Sequence, residues 1–179
     1  VTKLIEDYDL GIAIDKIYNF IWNEFCDWYI EICKTRIYSE NLEERVQVNF
    51  VLDYVLRNAL KLLHPFMPFV TTEIYSKLVH YDDINLMVSA WPEYNELNQF
   101  KLEEDTVEKL KDIIVDIRNT RANMNVHPSK KTKLIFVTSE YEEAIKQANE
   151  FLIKLGFATD IETKNEKNGI PENAIAILK

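Results

Sequence analysis

The side chains with the clearest potential for binding chemistry form a basic series in the second half of the chain. The first four are spaced by seven, three and four residues, which on an α-helix places them along one side. The last three follow in a predicted turn. Together the series is suited to contacting several phosphates, and its arginine and asparagine side chains are also suited to hydrogen-bonding bases. The series is Lys111, Arg118, Arg121, Asn125, Lys130, Lys131 and Lys133.

The distribution of charge supports the same region. The chain has a net charge of −9, which disfavours nucleic acid overall. Residues 106–139, however, carry seven basic and three acidic side chains, whereas residues 1–60, 61–105 and 140–179 are each net negative. Any RNA contact driven by charge is therefore expected to centre on residues 106–139.

Two further groups of residues are weaker candidates for binding RNA. Lys34 and Arg36 end the first long predicted helix, where basic side chains also simply compensate the helix dipole. The aromatic residues of that helix are suited to stacking on bases, but their helical spacing favours a place in the core. These aromatic residues are Phe20, Trp22, Phe25, Trp28 and Tyr29. For the basic series itself, the alternative is a solvated helix face followed by a lysine-rich turn.

Catalytic and metal-binding patterns are absent from the sequence. The three histidines, His64, His80 and His127, are far apart and none joins a cysteine at metal-ligand spacing. There is no glycine-rich phosphate loop and no nucleophile elbow. The paired acidic residues lie at predicted turns and first helical turns, where they favour the helix dipole. The sequence thus predicts no catalytic residue and no metal site in this chain.

The two cysteines indicate a reducing environment. Cys26 and Cys33 are seven residues apart on one predicted helix, which separates their Cα atoms by roughly 10 Å, too far for a disulfide. We interpret both as small buried side chains. The N-terminus has no secretion signal, and no stretch of eighteen apolar residues exists, so the sequence predicts a cytoplasmic protein without a membrane span.

The elements that position these residues are mostly helical. Apolar residues at spacings of three and four predict long helices near 12–38, 41–63 and 103–124, and Pro68 suits the start of another helix, to Val79. A strand near 133–138, a helix from a Ser139 cap to Leu155, and strands near 158–163 and 174–178 follow. The sequence predicts a mainly α fold: a helical bundle over 1–126, its first helix truncated, then a small β-α-β-β unit over 127–179.

Four segments resemble the anticodon-binding region of class I aminoacyl-tRNA synthetases. NFIWNEFCDWYIE at 19–31 and IRNTRANMNVHPSKK at 117–131 are most similar to valyl-tRNA synthetases. LLHPFMPFVTTEIY at 62–75 is also shared by leucyl and isoleucyl enzymes, and SAWP at 89–92 resembles the next landmark of the family. Their order and approximate spacing agree with that family over nearly the whole chain.

This resemblance implies a helical bundle that grips the anticodon arm of valine tRNA, with the remainder of a synthetase chain as its other partner. We expect RNA contacts from Arg118, Arg121, Asn125, Lys130 and Lys131, and secondarily from Lys34 and Arg36. The family's ATP-site motifs are absent from this sequence, so ATP and Mg²⁺ are expected only in the parent ligase. The alternatives are a helical scaffold that binds protein, the same domain of an isoleucyl or leucyl relative, and an enzyme with an unrecognised site.

Overall fold

The computed structural model describes residues 1–78, 85–172 and 174–175. They divide into two compact units, Val1–Asn95 (unit 1) and Glu96–Lys179 (unit 2). The structural division thus lies earlier in the chain than the boundary that the sequence suggested between residues 126 and 127, which stays a prediction. The fold is mainly α with a small strand-containing part, as the sequence predicted, and its two described strands form a parallel sheet.

Unit 1 is helical. Its elements are α1 (Thr2–Glu6), α2 (Leu10–Asn19), a π-helical segment (Phe20–Tyr29), α3 (Ile30–Ile37), α4 (Leu42–Leu63), α5 (Pro68–Ser76) and a 3₁₀ turn (Leu86–Val88). The first long helix that the sequence predicted runs without interruption from α2 through α3. The π-helical segment in its middle was not predicted. Such segments are rare and are frequent at functional sites.

Asn41 followed by Glu44 three residues later predicts a capping box at the start of α4, and the structure forms only its first half. The Asn41 side chain accepts a hydrogen bond from the Glu43 N–H at 3.0 Å. Glu44, which was expected to return to the Asn41 backbone, instead accepts from the Asn41 side-chain amide at 3.5 Å. The Asn41 N–H donates to the Ser39 hydroxyl at 3.1 Å. One side chain thus caps the helix, while a serine replaces the second half of the capping box.

The turn between α4 and α5 is held by a buried threonine. Helix α4 ends at Leu63, just before Pro65, and Pro68 occupies the first turn of α5, as predicted. The fully buried Thr71 hydroxyl donates to the Met67 carbonyl at 2.8 Å, and the His64 Nδ1 lies 2.8 Å from the same hydroxyl. Beside this turn, Leu60, Tyr75 and Leu86 form a buried apolar cluster.

Unit 2 combines one long helix with a two-stranded parallel sheet. Its elements are a 3₁₀ turn (Glu96–Asn98), α6 (Lys101–Asn123), β1 (Thr132–Val137), α7 (Glu142–Gln147), α8 (Asn149–Leu155) and β2 (Ala158–Lys164). Strand β1 pairs in parallel with β2, with Leu134 opposite Ile161 and Phe136 opposite Thr163. The parallel pairing requires the crossover that α7 and α8 provide.

Helix α6 buries only part of the apolar stripe that its residue spacing predicts, which consists of Val107, Leu110, Ile114, Ile117 and Met124. Leu110, Ile114 and Ile117 are buried as expected, but Val107 and Met124 are exposed. Both lie outside the part of the helix that holds its buried residues, which runs from Leu110 to Arg121. The segment expected to be one helix from Ser139 to Leu155 forms two, which meet at Ala148. Ser139 does not cap α7; instead the Thr138 hydroxyl accepts from the Tyr141 N–H at 3.3 Å.

The sequence predicts that α5 reaches Val79, but the helix ends at Ser76. His80 and most of the final strand predicted near 174–178 lie outside the described residues. The turn before that strand is described: Gly169 has a φ of +70°, and the Lys164 ammonium donates to the Asn168 and Gly169 carbonyls at 3.3 and 3.1 Å. The side chain at the end of β2 therefore fixes this turn.

Candidate nucleic-acid interface

The end of α6 determines how the basic turn leaves the helix. Asn125 adopts a left-handed conformation with φ +54°. Its N–H donates to the Ala122 carbonyl at 2.9 Å, and the Val126 N–H donates to the Arg121 carbonyl at 2.9 Å. This pair of hydrogen bonds is the Schellman ending, and asparagine is one of the few residues that accept its left-handed position. Asn125 therefore turns the chain as well as exposing its side chain.

Arg121 holds the turn from inside unit 2. It is only 8% exposed. Its Nη1 donates to the Thr132 hydroxyl at 3.0 Å, and its Nη2 donates to the His127 carbonyl at 3.3 Å and to the Lys130 carbonyl. The guanidinium thus binds both sides of the segment 127–132. The sequence placed Arg121 along one side of the helix as an expected RNA contact, whereas the structure turns its guanidinium group inward.

Arg118 is the second arginine of this interior arrangement. Its Nε donates to the carbonyl of Leu155, the last residue of α8, at 2.9 Å. The guanidinium carbons of Arg118 and Arg121 lie 5.8 and 5.6 Å from the centre of the Phe157 ring. Phe157 has a φ of +54°, an uncommon conformation for a bulky residue. Two cation–π contacts therefore hold the ring that follows α8.

Lys130 and Lys131 are the outward members of the basic turn. Both side chains are exposed, and neither has a hydrogen bond or ion pair among the described residues. The backbone that carries them is fixed, because Arg121 binds the Lys130 carbonyl and the Lys130 N–H donates to the His127 carbonyl at 2.9 Å. Within the basic series these two lysines, with Asn125, are the exposed groups whose side chains have no hydrogen-bond or ion-pair partner among the described residues, whereas the exposed Lys133 is ion-paired.

The other two lysines of the series are partnered. Lys111 is 8% exposed and its ammonium lies 2.7 Å from Glu108. Lys133 lies 2.7 Å from Glu162 and 3.5 Å from Asp160. The hydrogen bond to Glu162 raises the pKa of Lys133, and the same contact lowers the pKa of Glu162. The positive charge of Lys133 is therefore offset by two carboxylates, whereas the charges of Lys130 and Lys131 are more available to a phosphate.

The secondary basic pair lies in unit 1, at the end of α3. Lys34 forms an ion pair with Glu31 one turn earlier. Arg36 is exposed, and its Nη2 donates to the Gln47 side-chain oxygen at 3.2 Å. Both residues lie in the last turn of α3, where a positive charge interacts favourably with the helix dipole. The structure thus supports the structural role considered for this pair and leaves its RNA contact a prediction.

The aromatic residues of the first long helix divide into a buried and an exposed group. Phe25 is buried, whereas Trp28 and Tyr29 are half-buried. Trp22 is 57% exposed and stacks on the exposed Tyr18 with a centroid distance of 6.3 Å. Phe20 is also exposed and lines a cavity together with Tyr54. The expectation of a core position is therefore wrong for Phe20 and Trp22, since the hydrophobic pattern extends around more of the helix than its neighbours cover.

Two side chains of the first long helix, Tyr29 and Cys33, have pKa values shifted by burial. Both cysteines are free thiols, and burial raises the pKa of Cys33, so that this thiol stays protonated at neutral pH. Burial, together with Cys33, also raises the pKa of Tyr29 to about 12. Over residues 1–78, 85–172 and 174–175, no group of three or more histidine, cysteine or acidic side chains is arranged to hold a metal ion. None of the helices in this part of the chain is long and apolar enough to cross a membrane.

Comparison with known proteins gives one consistent family. The family described as the anticodon-binding domain of tRNA ligase matches residues 1–138. A valine–tRNA ligase of Clostridium acetobutylicum is 42% identical over 178 residues, which cover 98% of this chain and 20% of that protein. Valine–tRNA ligases of Aquifex aeolicus and Staphylococcus aureus strain Newman are each 36% identical, over 188 and 183 residues that cover 98% of this chain. The chain spans about a fifth of the length of the curated relatives it matches.

Proposed function

We propose a tRNA-binding function for this chain, on the premise that it belongs to the family of anticodon-binding domains of tRNA ligases. Its role is to bind the anticodon arm of valine tRNA as one part of a longer valine–tRNA ligase. The valine assignment is supported by relatives of that name at 36–42% identity. The longer protein would join valine to this tRNA with ATP and Mg²⁺, which other parts of that polypeptide would bind.

The exposed lysine pair on a fixed turn is the observation that carries this proposal. Lys130 and Lys131 place two ammonium groups, for which the described part of the chain provides no partner, on a backbone that Arg121 holds at two carbonyls. A charged group held in position loses less conformational freedom when it binds a phosphate than one on a flexible segment. Both lysines therefore contact phosphates and fix the register of the RNA, while the Asn125 amide is available to a base or a sugar.

Arg118 and Arg121 act in this proposal by positioning the turn. Their guanidinium groups face Phe157, Thr132 and backbone carbonyls. Direct RNA contact by either arginine would require these groups to be released. Lys34 and Arg36 remain a second, separate candidate contact in unit 1.

The salt dependence of tRNA binding tests the lysine pair. Valine tRNA is titrated with the wild-type chain and with Lys130→Ala/Lys131→Ala across a range of salt concentrations, using fluorescence anisotropy. Each lost phosphate contact reduces the slope of log K against log salt by about 0.7–0.9. We therefore expect the double variant to bind more weakly, with a slope about 1.4–1.8 smaller in magnitude.

A matched control removes equal charge from the same unit. Lys154 and Lys167 are exposed, and the described residues offer neither of them an ion-pair partner. Lys154→Ala/Lys167→Ala should bind tRNA with a nearly wild-type slope. Equal slopes in both double variants would refute the lysine-turn interface, and a wild-type chain that does not bind valine tRNA at all would refute the proposed function.

A protein-binding scaffold is the second candidate, because α4 exposes apolar side chains. Leu42, Val46 and Phe50 recur every fourth residue and are all exposed. An apolar ridge of this kind is typical of a surface that another protein segment covers. A scaffold with no RNA role predicts tRNA binding that is weak and independent of Lys130 and Lys131.

A further inference from the structure

Unit 1 contains an open cavity that the lysine-turn interface does not use. Its volume is about 250 Å³. The rings of Phe20 and Tyr54 line it, together with Pro92 and three aliphatic side chains of α4. Cavities for drug-sized ligands usually measure roughly 300–1,000 Å³, so this one suits a smaller group.

The two aromatic rings remain partly exposed although they lie in a concave site. Phe20 is 43% and Tyr54 is 49% exposed. Phe20 is the first residue of the π-helical segment, where the change in helical winding alters the direction of the side chains that follow. Exposed aromatic faces in a cavity are suited to a flat ligand, because stacking removes apolar surface of both partners from water.

The polar groups of the cavity are mainly hydrogen-bond acceptors. The Asn58 amide nitrogen donates to the Tyr54 carbonyl at 2.8 Å, which leaves its side-chain oxygen as an acceptor. The Glu93 carboxylate has no hydrogen bond or ion pair within the described ranges. A complementary ligand therefore presents N–H donors at its edge.

The charge of unit 1 excludes a phosphate as the preferred ligand. Residues 1–95 carry 8 basic and 15 acidic side chains, a net charge of −7. Glu93 adds a negative charge at the cavity itself. A neutral, planar base avoids this repulsion and still gains stacking energy, since every base has an aromatic face.

We propose that this cavity binds one unpaired nucleobase of the RNA, an inference that rests on the proposed tRNA-binding function. The base stacks against Phe20 and Tyr54, and its edge donates to the Asn58 oxygen and the Glu93 carboxylate. An exocyclic amino group supplies two N–H donors for these two acceptors, whereas uracil offers only its ring N–H, so adenine, cytosine and guanine are preferred over uracil. Unit 1 thus contributes to RNA binding by contacting a base, and the lysine turn of unit 2 contributes by contacting phosphates.

Aromatic substitutions test the stacking part of this proposal. The probe is the anticodon stem-loop of valine tRNA, with binding followed by fluorescence anisotropy. Loss of stacking on one base corresponds to about 5- to 150-fold weaker binding, and we expect Tyr54→Ala and Phe20→Ala to fall in that range. Because no phosphate contact is removed, the salt slope should stay at the wild-type value. Tyr54→Phe keeps the ring and should bind as the wild type does.

Exposed aromatic residues outside the cavity provide the controls. Tyr18 and Tyr38 are 58% and 81% exposed and do not line it. Tyr18→Ala and Tyr38→Ala should leave the affinity unchanged. Circular dichroism of every variant verifies that the fold is retained, which the exposure of Phe20 and Tyr54 favours.

The edge contacts are tested by base selectivity. Stem-loops with uracil at each unpaired position in turn are compared with their amino-bearing counterparts. The wild-type chain should discriminate against uracil at one position, and Glu93→Gln should lose most of that discrimination. If Phe20→Ala and Tyr54→Ala bind the stem-loop with wild-type affinity, the proposal of a base-binding cavity is overturned, while the result for the lysine turn is unaffected. Failure of the wild-type chain to bind the stem-loop would overturn both proposals.

Discussion

Asn125 combines a backbone role with a candidate RNA contact, and substitutions separate the two. Its φ of +54° lies where residues other than glycine, asparagine and aspartate are strained. Asn125→Gly is expected to keep or slightly raise the free energy of unfolding, and Asn125→Ala to lower it by about 1 kcal/mol. Urea denaturation followed by circular dichroism measures both changes. If Asn125 also contacts RNA, the glycine variant binds tRNA more weakly while remaining folded; equal stability of both variants would contradict the strain.

Arg121 is expected to contribute more to stability than any outward residue of the basic series. Arg121→Ala removes three hydrogen bonds to the turn and leaves the Lys130 carbonyl without its donor, while the His127 carbonyl keeps only the Lys130 N–H. Hydrogen bonds from a charged donor are worth about 1.5–3 kcal/mol, so we expect the free energy of unfolding of unit 2 to fall by about 2–3 kcal/mol. Far-UV circular dichroism measures this loss, whereas Lys131→Ala should change stability by less than about 0.5 kcal/mol.

The effect of Arg121→Ala can be assigned to one unit by a second probe. The three tryptophans, Trp22, Trp28 and Trp91, all belong to unit 1. Tryptophan fluorescence therefore monitors unit 1, while circular dichroism monitors both. An Arg121→Ala variant as stable as the wild type would contradict the positioning role. The stability of Arg121→Ala must also be known before its RNA binding is interpreted. A variant that distorts the turn would lose RNA binding even though no direct contact between Arg121 and RNA was removed.

At the scale of the helices, the junction of α4 and α5 depends on one buried hydroxyl. Thr71→Val keeps the shape of the side chain but removes the group that bonds to the Met67 carbonyl and to His64. We expect the free energy of unfolding of unit 1 to fall by about 1–2 kcal/mol, measured by tryptophan fluorescence in urea. Thr72 makes a similar bond, to the Pro68 carbonyl at 2.7 Å, but is exposed. Thr72→Val should therefore cost much less, and an equal cost would contradict the importance of burial.

The two glycines at helix boundaries should respond to alanine in opposite ways. A Cβ on Gly156 would lie 2.7 Å from the Leu152 carbonyl and 3.2 Å from Leu134 Cδ1, so Gly156→Ala should destabilise unit 2 by about 1–3 kcal/mol. Gly11 lies in α2 with no atom within 4 Å of such a Cβ. Gly11→Ala should stabilise unit 1 by about 0.5–1 kcal/mol. Thermal unfolding measures both changes, and shifts of the same sign would refute this contrast.

The helices could be predicted from the sequence because periodicity and proline act locally. Pro65 and Pro68 set the boundary between α4 and α5 whatever surrounds them. The π-helical segment could not be predicted, because its residues are apolar on several sides and fit either winding. The break at Ala148 likewise depends on packing between elements.

The candidate site was predicted in part. The sequence located the lysine turn, and the exposure of Lys130 and Lys131 agrees with it. It did not reveal that Arg121 points inward, although one signal existed: Ile114, Ile117 and Arg121 are spaced by three and four residues, which places the arginine on the buried stripe. The cavity could not be predicted, since Phe20, Tyr54 and Glu93 are far apart in sequence.

At the scale of the whole molecule, the two units differ in net charge and in the RNA contact proposed for each, a base for unit 1 and phosphates for unit 2. Unit 1 has a net charge of −7 and unit 2, with 13 basic and 15 acidic side chains, has −2. Because both units are net negative, we expect the chain to bind polyanions weakly unless the polyanion has a structure that fits a specific site. We expect it to pass through a heparin column, or to elute below about 0.1 M salt, where electrostatic attraction is still weakly screened. Retention to high salt would show that local basic groups outweigh the net charge.

The parallel pairing of β1 and β2 also has a consequence for biosynthesis. Twenty residues separate Val137 from Ala158, and chains elongate at about 5–20 residues per second, so β1 waits about one to four seconds for its partner. During that interval the backbone of the apolar run Leu134–Phe136 lacks the hydrogen bonds that the second strand supplies. Slowed elongation across α7 and α8 would lengthen this interval and increase the chance of aggregation on the ribosome.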